Sequence, residues 1–388
     1  MSMLLSPLVT GVEFPPIAEA LSWVRQGARN RELLDLCQAV PSYPPAPALQ
    51  QEFARLAGLP GTSSYTNIQG LDALRAAHAA SMSKDYGSAI AAEQVAMTSG
   101  CNQAFAAALM AIAKAGDNVV MPAPYYFNHQ MWLSMLGIGI NSVPAFTANL
   151  SHPDVAQARA AIDRNTRAIV LCTPNNPTGA IYPPEVIAAF FDLAEEHGLA
   201  LIIDETYKDF RDDPAPAHGL FGRPGWDETL IQLCSYSKVY ALPGYRLGAM
   251  ISGARVLHEV AKILDCMTIC PPHITQAGAI FALENLDGWK REKLDLMATR
   301  LSALREAIRT PGLKFELASS GAYFAYVKHP FRGQPSKAVA MRLAQEHDIL
   351  CLPGSMFGPG QEDYLRFAFA NLDGSKMQPL AERLIGAQ

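Results

Sequence analysis

Between about residue 95 and residue 251, short apolar runs alternate with amphipathic helical patterns. Six runs have the length and density of buried strands: QVAMTS (94–99), NVVMPA (118–123), AIVLCTP (168–174), LALIIDE (199–205), LIQLCS (230–235) and RLGAMIS (246–252). NQAFAAALMAIAKAG (102–116), PPEVIAAFFDLAEEHG (183–198) and ARVLHEVAKILD (254–265) carry the helical period. Gly116 and Gly198 stop two of these helices, and Pro183–Pro184 starts one. The alternation predicts an α/β unit around a mostly parallel sheet. From about residue 290, the helical patterns KREKLDLMATRLSALREAI and SKAVAMRLAQEHD flank two strand patterns, AYFAYVK and YLRFAFA. That is an α+β pattern and predicts a second domain. The Pro-rich pieces VPSYPPAPAL (40–49) and DDPAPAH (212–218) predict turns or surface loops.

Composition narrows the functional classes. The chain has 388 residues, 49% of them apolar, enough for a sizeable core and two domains. A net charge of −5 without a long basic block argues against nucleic acid as a partner. The apolar runs are short and interrupted, so no membrane span is expected. The N-terminus MSMLLSPLVTGVEFPP lacks the basic start of a signal peptide. Seven scattered cysteines without a C-x-x-C pair predict reduced thiols in a cytoplasmic protein. Nine histidines without H-E-x-x-H spacing predict no metal site.

In a parallel α/β sheet, ligands bind at the carboxyl ends of strands. Those ends carry Ser99-Gly100-Cys101-Asn102, Pro122 to Asn128, Thr173 to Gly179, Asp204 to Tyr207, and Ser235 to Lys238. Ser99, Gly100, Cys101 and Asn102 stand at a helix start, where free amides and the helix dipole favour a phosphate; ordinary helix capping is the simpler alternative. Arg246 offers a planar fork for the same anion, against a surface salt bridge. Ser235 offers a hydroxyl, against a bond to its own backbone. Asp204, at the end of a buried strand, needs a partner: a protonated ring nitrogen, or His129. Tyr207 and Asn176 suit a phenolate-type oxygen, and Tyr126 suits the face of an aromatic ring. Lys238, if desolvated beside another cation, has a lowered pKa and a nucleophilic amine. Lys208 and Lys114 read as ordinary solvated lysines. Taken together these groups describe a phosphate, a basic aromatic nitrogen, an acidic ring hydroxyl and an aldehyde, which is pyridoxal 5′-phosphate.

NNPTG, DETY, S-x-S-K followed by G-x-R-L-G, and LRFAF occur in that order, with Lys238 and Arg246 eight residues apart. In these motifs the chain resembles the class I/II aminotransferases, pyridoxal-phosphate enzymes of fold type I, from about residue 30 to the C-terminus. The resemblance implies a large domain (45–284) with a mostly parallel seven-stranded sheet flanked by helices. It also implies a smaller α+β domain (285–388) and an N-terminal arm (1–44) that belongs in part to it. It implies transfer of the amino group of an L-amino acid to a 2-oxo acid through an internal aldimine on Lys238. Asp204 resembles the carboxylate that keeps the pyridine nitrogen protonated, with His129 orienting it. Tyr207 and Asn176 resemble the donors to the ring oxygen, and Tyr126 the stacking aromatic. Gly100, Cys101, Asn102, Ser235, Ser237 and Arg246 match the phosphate contacts. Tyr65, in SYTNIQGLDALR, resembles the tyrosine lent across a homodimer to the partner's phosphate. Arg366 resembles the arginine that grips the substrate carboxylate, with Asn176 beside it.

Two departures bear on substrate choice. Ala39, in CQAVPSYP, takes the place of a glycine near the substrate carboxylate. No arginine lies between Arg255 and Arg291, which argues against the distal-carboxylate recognition of the aspartate branch. Val12, Phe14, Tyr43 and Tyr125 are expected near the mouth of the site and favour a neutral or aromatic side chain. A C–S lyase or another reaction on the same cofactor is the alternative enzyme. A regulatory protein on the same scaffold is disfavoured, since only about thirty residues precede the similarity, too few for a DNA-binding domain. GIGINS lacks the third glycine of a dinucleotide motif.

Overall fold

The computed structural model describes residues 3–24, 31–146 and 152–388. Residues 1, 2 and 25–30 of the expected N-terminal arm lie outside the described residues. The large sheet has seven strands: β1 (Val95–Thr98), β2 (Asn118–Ala123), β3 (Gly139–Pro144), β4 (Thr166–Cys172), β5 (Ala200–Asp204), β6 (Leu230–Ser235) and β7 (Gly248–Ile251). Their spatial order is β1-β7-β6-β5-β4-β2-β3. β7 is antiparallel to both of its neighbours, and the remaining pairs are parallel. All six strands read from the apolar runs are present. The seventh, β3, carries no continuous apolar run because it lies at the sheet edge, where most of its side chains stay accessible.

The inner strands are buried on both faces, as expected of a sheet covered by helices on each side. One cover includes the helices Pro47–Ala57, Asp72–Tyr86, Pro184–Glu196 and His273–Asn285, whose apolar residues join one core cluster with Ile169, Leu171, Leu201 and Ile203. The other includes α1 (Cys101–Ile112), α2 (Phe127–Met135) and the helix Ala254–Thr268, packed on Val119, Val170 and Ile202. Pro47 starts its helix at the first turn, so the end of the Pro-rich piece at 40–49 is helical rather than looped.

A third core cluster joins residues near both ends of the described chain. It is built on the antiparallel strands β8 (Glu316–Gly321), β9 (Phe324–Lys328), β10 (Leu352–Pro353) and β11 (Tyr364–Phe367), in the order β10-β11-β9-β8. Leu34–Asp35 pairs in parallel with Ile349–Leu350, which ties the N-terminal segment to this layer. No helix among the described residues is long and apolar enough to cross a membrane.

Candidate active site

The polar residues of the site sit where the strands of the large sheet end. β5 ends on Asp204 and β6 on Ser235, and the single-turn helix α3 (Tyr236–Val239) carries Ser237 and Lys238. Cys101 and Asn102 open α1 just after β1, and Tyr126 precedes α2 just after β2. Asn176 follows β4, and Arg246 precedes β7 with a left-handed φ of +53°. Parallel strands send their carboxyl ends to one edge, so residues far apart in the chain meet there.

A cavity of about 380 Å³ opens at this edge and extends to the strands of the smaller layer. It is lined by Ala39, Cys101, Asn102, Tyr126, Asn176, Asp204, Tyr207, Ser235, Ser237, Lys238, Arg246 and Arg366. Gly100 lies directly behind it. With φ at +89°, a Cβ at this position would collide with the Arg246 guanidinium, so the glycine lets that cation rest against the start of α1. Tyr65 is 75% exposed and does not line the cavity of its own chain.

Asp204 is the anion of the cavity. Its Oδ2 lies 3.1 Å from His129 Nε2, and its Oδ1 accepts from the Thr206 amide at 2.9 Å and the Cys101 thiol at 3.5 Å. Burial pushes the Asp204 carboxyl up, but His129 and the Thr206 amide outweigh it and hold the group below the usual carboxylate range. His129 is itself fixed by stacking on Phe105, with ring centroids 4.0 Å apart.

Lys238 faces the opposite problem. Burial, then the nearby guanidinium groups of Arg366 and Arg246, lower its ammonium to about 8. Its Nζ donates to the Ala39 carbonyl. Arg366, on β11, is 1% exposed and lies between the rings of Phe324 and Phe357. Its Nη1 donates to Asn176 Oδ1 at 3.0 Å and its Nη2 to the Cys37 carbonyl. Its Nε is buried without a hydrogen-bond partner among the described residues. Burial pushes the Tyr207 and Tyr126 phenols up, so both remain protonated donors. Ser235 Oγ accepts from the Ser237 amide at 3.2 Å, which leaves its proton free to donate into the cavity.

The family described as aminotransferase class I and II matches residues 31–384. The chain is 28% identical to the aromatic aminotransferase ISS1 of Arabidopsis thaliana, over 98% of this chain and 95% of that protein. It is 30% identical to the arginine–pyruvate transaminase AruH of Pseudomonas aeruginosa, over 89% and 87%. Its fold superposes on a single mutant of Thermus thermophilus aspartate aminotransferase with a TM-score of 0.90 at 25% identity, covering all of both chains. The chain belongs to the class I and II aminotransferase family. It is an aminotransferase, and the C–S lyase alternative is set aside. The family depends on pyridoxal 5′-phosphate.

Within this aminotransferase, Ala39, Cys101, Asn102, Tyr126, Asn176, Asp204, Tyr207, Ser235, Ser237, Lys238, Arg246 and Arg366 line one cavity as expected, whereas Gly100 and Tyr65 do not line it. Ser99 does not line it, and its amide already donates to Gln103 Oε1 at 2.6 Å. Cys101 turns its thiol to Asp204, so only its amide is left for an anion. Lys208 is not solvated: it is largely buried and paired with Asp85 at 2.5 Å and Asp209 at 3.3 Å, whereas Lys114 is exposed as expected. Val12, Phe14, Tyr43 and Tyr125 do not line the cavity. Phe14 is 68% exposed, Tyr43 packs edge-on against Trp289, and Tyr125 lies under Gly358. The rest of the lining is Pro15, Ile17, Gln38, Val40, Phe127 and Asn128, with Cys172, Thr206 and Pro243. The role of Thr206 as an amide donor to Asp204 was also not read from sequence, although it stands inside DETY. Among the described residues no group of three or more His, Cys, Asp or Glu side chains is arranged to hold a metal.

Proposed function

We propose that this cavity holds pyridoxal 5′-phosphate and that an L-amino acid and a 2-oxo acid exchange their amino group within it. One observation carries the reading: a buried amine lowered to about 8, Lys238, shares a single cavity with a carboxylate held ionised, Asp204. The residues present fit the cofactor at each end. Arg246 packed on Gly100, with the first amides of α1 and the hydroxyls of Ser235 and Ser237, suits a phosphate. Asp204 suits a protonated pyridine nitrogen, and Tyr207 and Asn176 suit the ring oxygen. Tyr126 suits the ring face.

When bound, the cofactor supplies an electron sink for the charge that develops at the substrate Cα. The chain's own residues do the rest. Lys238 would hold the cofactor through its aldehyde carbon, with loss of water, and the same amine, once freed by substrate, would carry the proton from the substrate Cα to that cofactor carbon. Arg366 grips the substrate carboxylate in a bidentate fork supported by Asn176, and the Ala39 methyl narrows the approach. Asp204 keeps its charge because His129 and Thr206 donate to it.

The division into an arm (1–44), a large domain (45–284) and a small domain (285–388) is supported by the pairing of Leu34–Asp35 with Ile349–Leu350. A homodimer is supported by Tyr65, exposed and not lining its own cavity, as a donor to the partner's phosphate site. A cytoplasmic location is supported by seven cysteines that are all free. The Lys238→Ala variant tests the reading. It should lose both the visible absorbance of the bound cofactor and turnover; an unchanged spectrum would sink the assignment.

A further inference from the structure

We infer that the mouth of the cavity takes an amino acid with an uncharged, largely apolar side chain (aliphatic, thioether or aromatic) and rejects a distal carboxylate or guanidinium. This rests on the cofactor reading above. Relatives carry names spanning aromatic, aspartate and arginine donors, so family membership does not select a donor.

The charged residues that line the cavity, among the described residues, are Lys238, Arg246, Arg366 and Asp204. Each already has a counterpart: aldehyde, phosphate, substrate carboxylate and ring nitrogen. The remaining lining residues, Pro15, Ile17, Gln38, Val40, Phe127 and Asn128 among them, are all neutral. Asn128 Nδ2 gives one of its two N–H groups to the Tyr126 hydroxyl at 2.9 Å, and its neutral amide supplies no counter-charge. Glu19, an acid on the same helix as Ile17 (Pro16–Ser22), is paired with Lys337. A distal charge of either sign would therefore meet no uncommitted counter-charge among the described residues of this chain that line the cavity. An apolar side chain would instead cover the half-buried Ile17 and Val40 and remove apolar surface from water.

Donor kinetics of the holoenzyme with pyruvate as acceptor test this. The best of phenylalanine, methionine and leucine should exceed both aspartate and arginine by roughly 100-fold or more in kcat/KM. Aspartate or arginine within tenfold of that donor overturns the inference. Ile17→Ala should lower kcat/KM for the best bulky donor by about tenfold, mainly through KM, and for alanine by much less. An equal loss for both overturns the role of Ile17. Tryptophan fluorescence should show 3-phenylpropanoate binding at least about tenfold tighter than succinate; the reverse order overturns the inference without any appeal to turnover. Turnover led by aspartate would defeat the side-chain inference and leave the cofactor site standing. Absence of both turnover and the visible cofactor band would defeat the site reading and the inference with it.

Discussion

Arg366 Nη1 donates to Asn176 Oδ1 at 3.0 Å across 190 positions of the chain, and this bond joins the small antiparallel sheet to the loop after β4. The proposed substrate grip is thus divided between two layers of the fold, and its geometry depends on how they meet. Arg366→Lys keeps the charge but removes the planar fork. The expected result is a roughly 100-fold fall in kcat/KM for the amino acid, with the cofactor spectrum retained. Parallel titrations of cofactor and substrate would check it, and a loss of cofactor binding alone would contradict the assignment.

Asp204 and His129 form the second coupled pair, at 3.1 Å. Asp204→Ala should retain part of the bound cofactor and lower kcat by roughly 1000-fold. His129→Phe preserves an aromatic ring against Phe105 but removes the hydrogen bond. It should weaken the hold on the Asp204 charge and reduce kcat by about tenfold with little change in KM. Near-normal rates in Asp204→Ala would mean that another group holds the ring nitrogen.

Lys238 makes the cofactor-free protein sensitive to pH in a defined direction. Burial, with the Arg366 and Arg246 guanidinium groups, lowers the folded amine to about 8 from its ordinary value of 10.5. Below 8 both states are charged, and the folded state bears the whole cost of the buried ammonium. Between 8 and 10.5 the unfolded chain holds the extra proton, so this group's contribution to stability rises with pH. Lys238→Met should therefore stabilise the cofactor-free protein at pH 7, by an upper bound of roughly 3 kcal/mol. That advantage should shrink by pH 10. Urea unfolding at the two pH values measures it, and a gap that widens with pH would refute the direction.

Gly100→Ala places a methyl where the Arg246 guanidinium lies, on a backbone with φ at +89°. Displacing that cation should weaken cofactor affinity roughly 10- to 100-fold, because strain and a lost phosphate contact combine. Cofactor titration by absorbance checks the effect. Free phosphate as a competitor should lose affinity in parallel.

Tyr65 gives a complementation experiment. If it serves the partner's site, mixing inactive Lys238→Ala subunits with Tyr65→Ala subunits creates one native site per hybrid dimer, and activity should rise on mixing. If it serves its own chain, no hybrid site is intact and mixing should change nothing.

The anchors of the site were readable from sequence because the α/β pattern sends the carboxyl ends of its parallel strands to one edge. Asp204, Ser235 and Lys238 stand at such ends, so their convergence follows from local pattern and topology. The lowered ammonium of Lys238 was also foreseeable, given a buried strand end and Arg246 eight residues later. β3 was harder to read, because an edge strand needs no continuous apolar run to stay in the sheet.

What the chain order could not decide is which side chains fill the space between the two layers. Lys208 reads like any polar lysine, yet it is buried because Asp85 and Asp209 lie close enough to compensate its charge. Tyr125 and Tyr126 are adjacent in sequence, yet only Tyr126 lines the cavity, while Tyr125 passes under Gly358. Ile17 reaches the cavity because a helix from the N-terminal segment is laid there, although its distance from Lys238 along the chain gives no hint of it. The sequence by itself determined the cofactor chemistry, since that chemistry needs specific residue types at strand ends. The identity of the remaining lining residues was decided only by tertiary structure, because it depends on long-range packing between segments whose local patterns carry no record of one another.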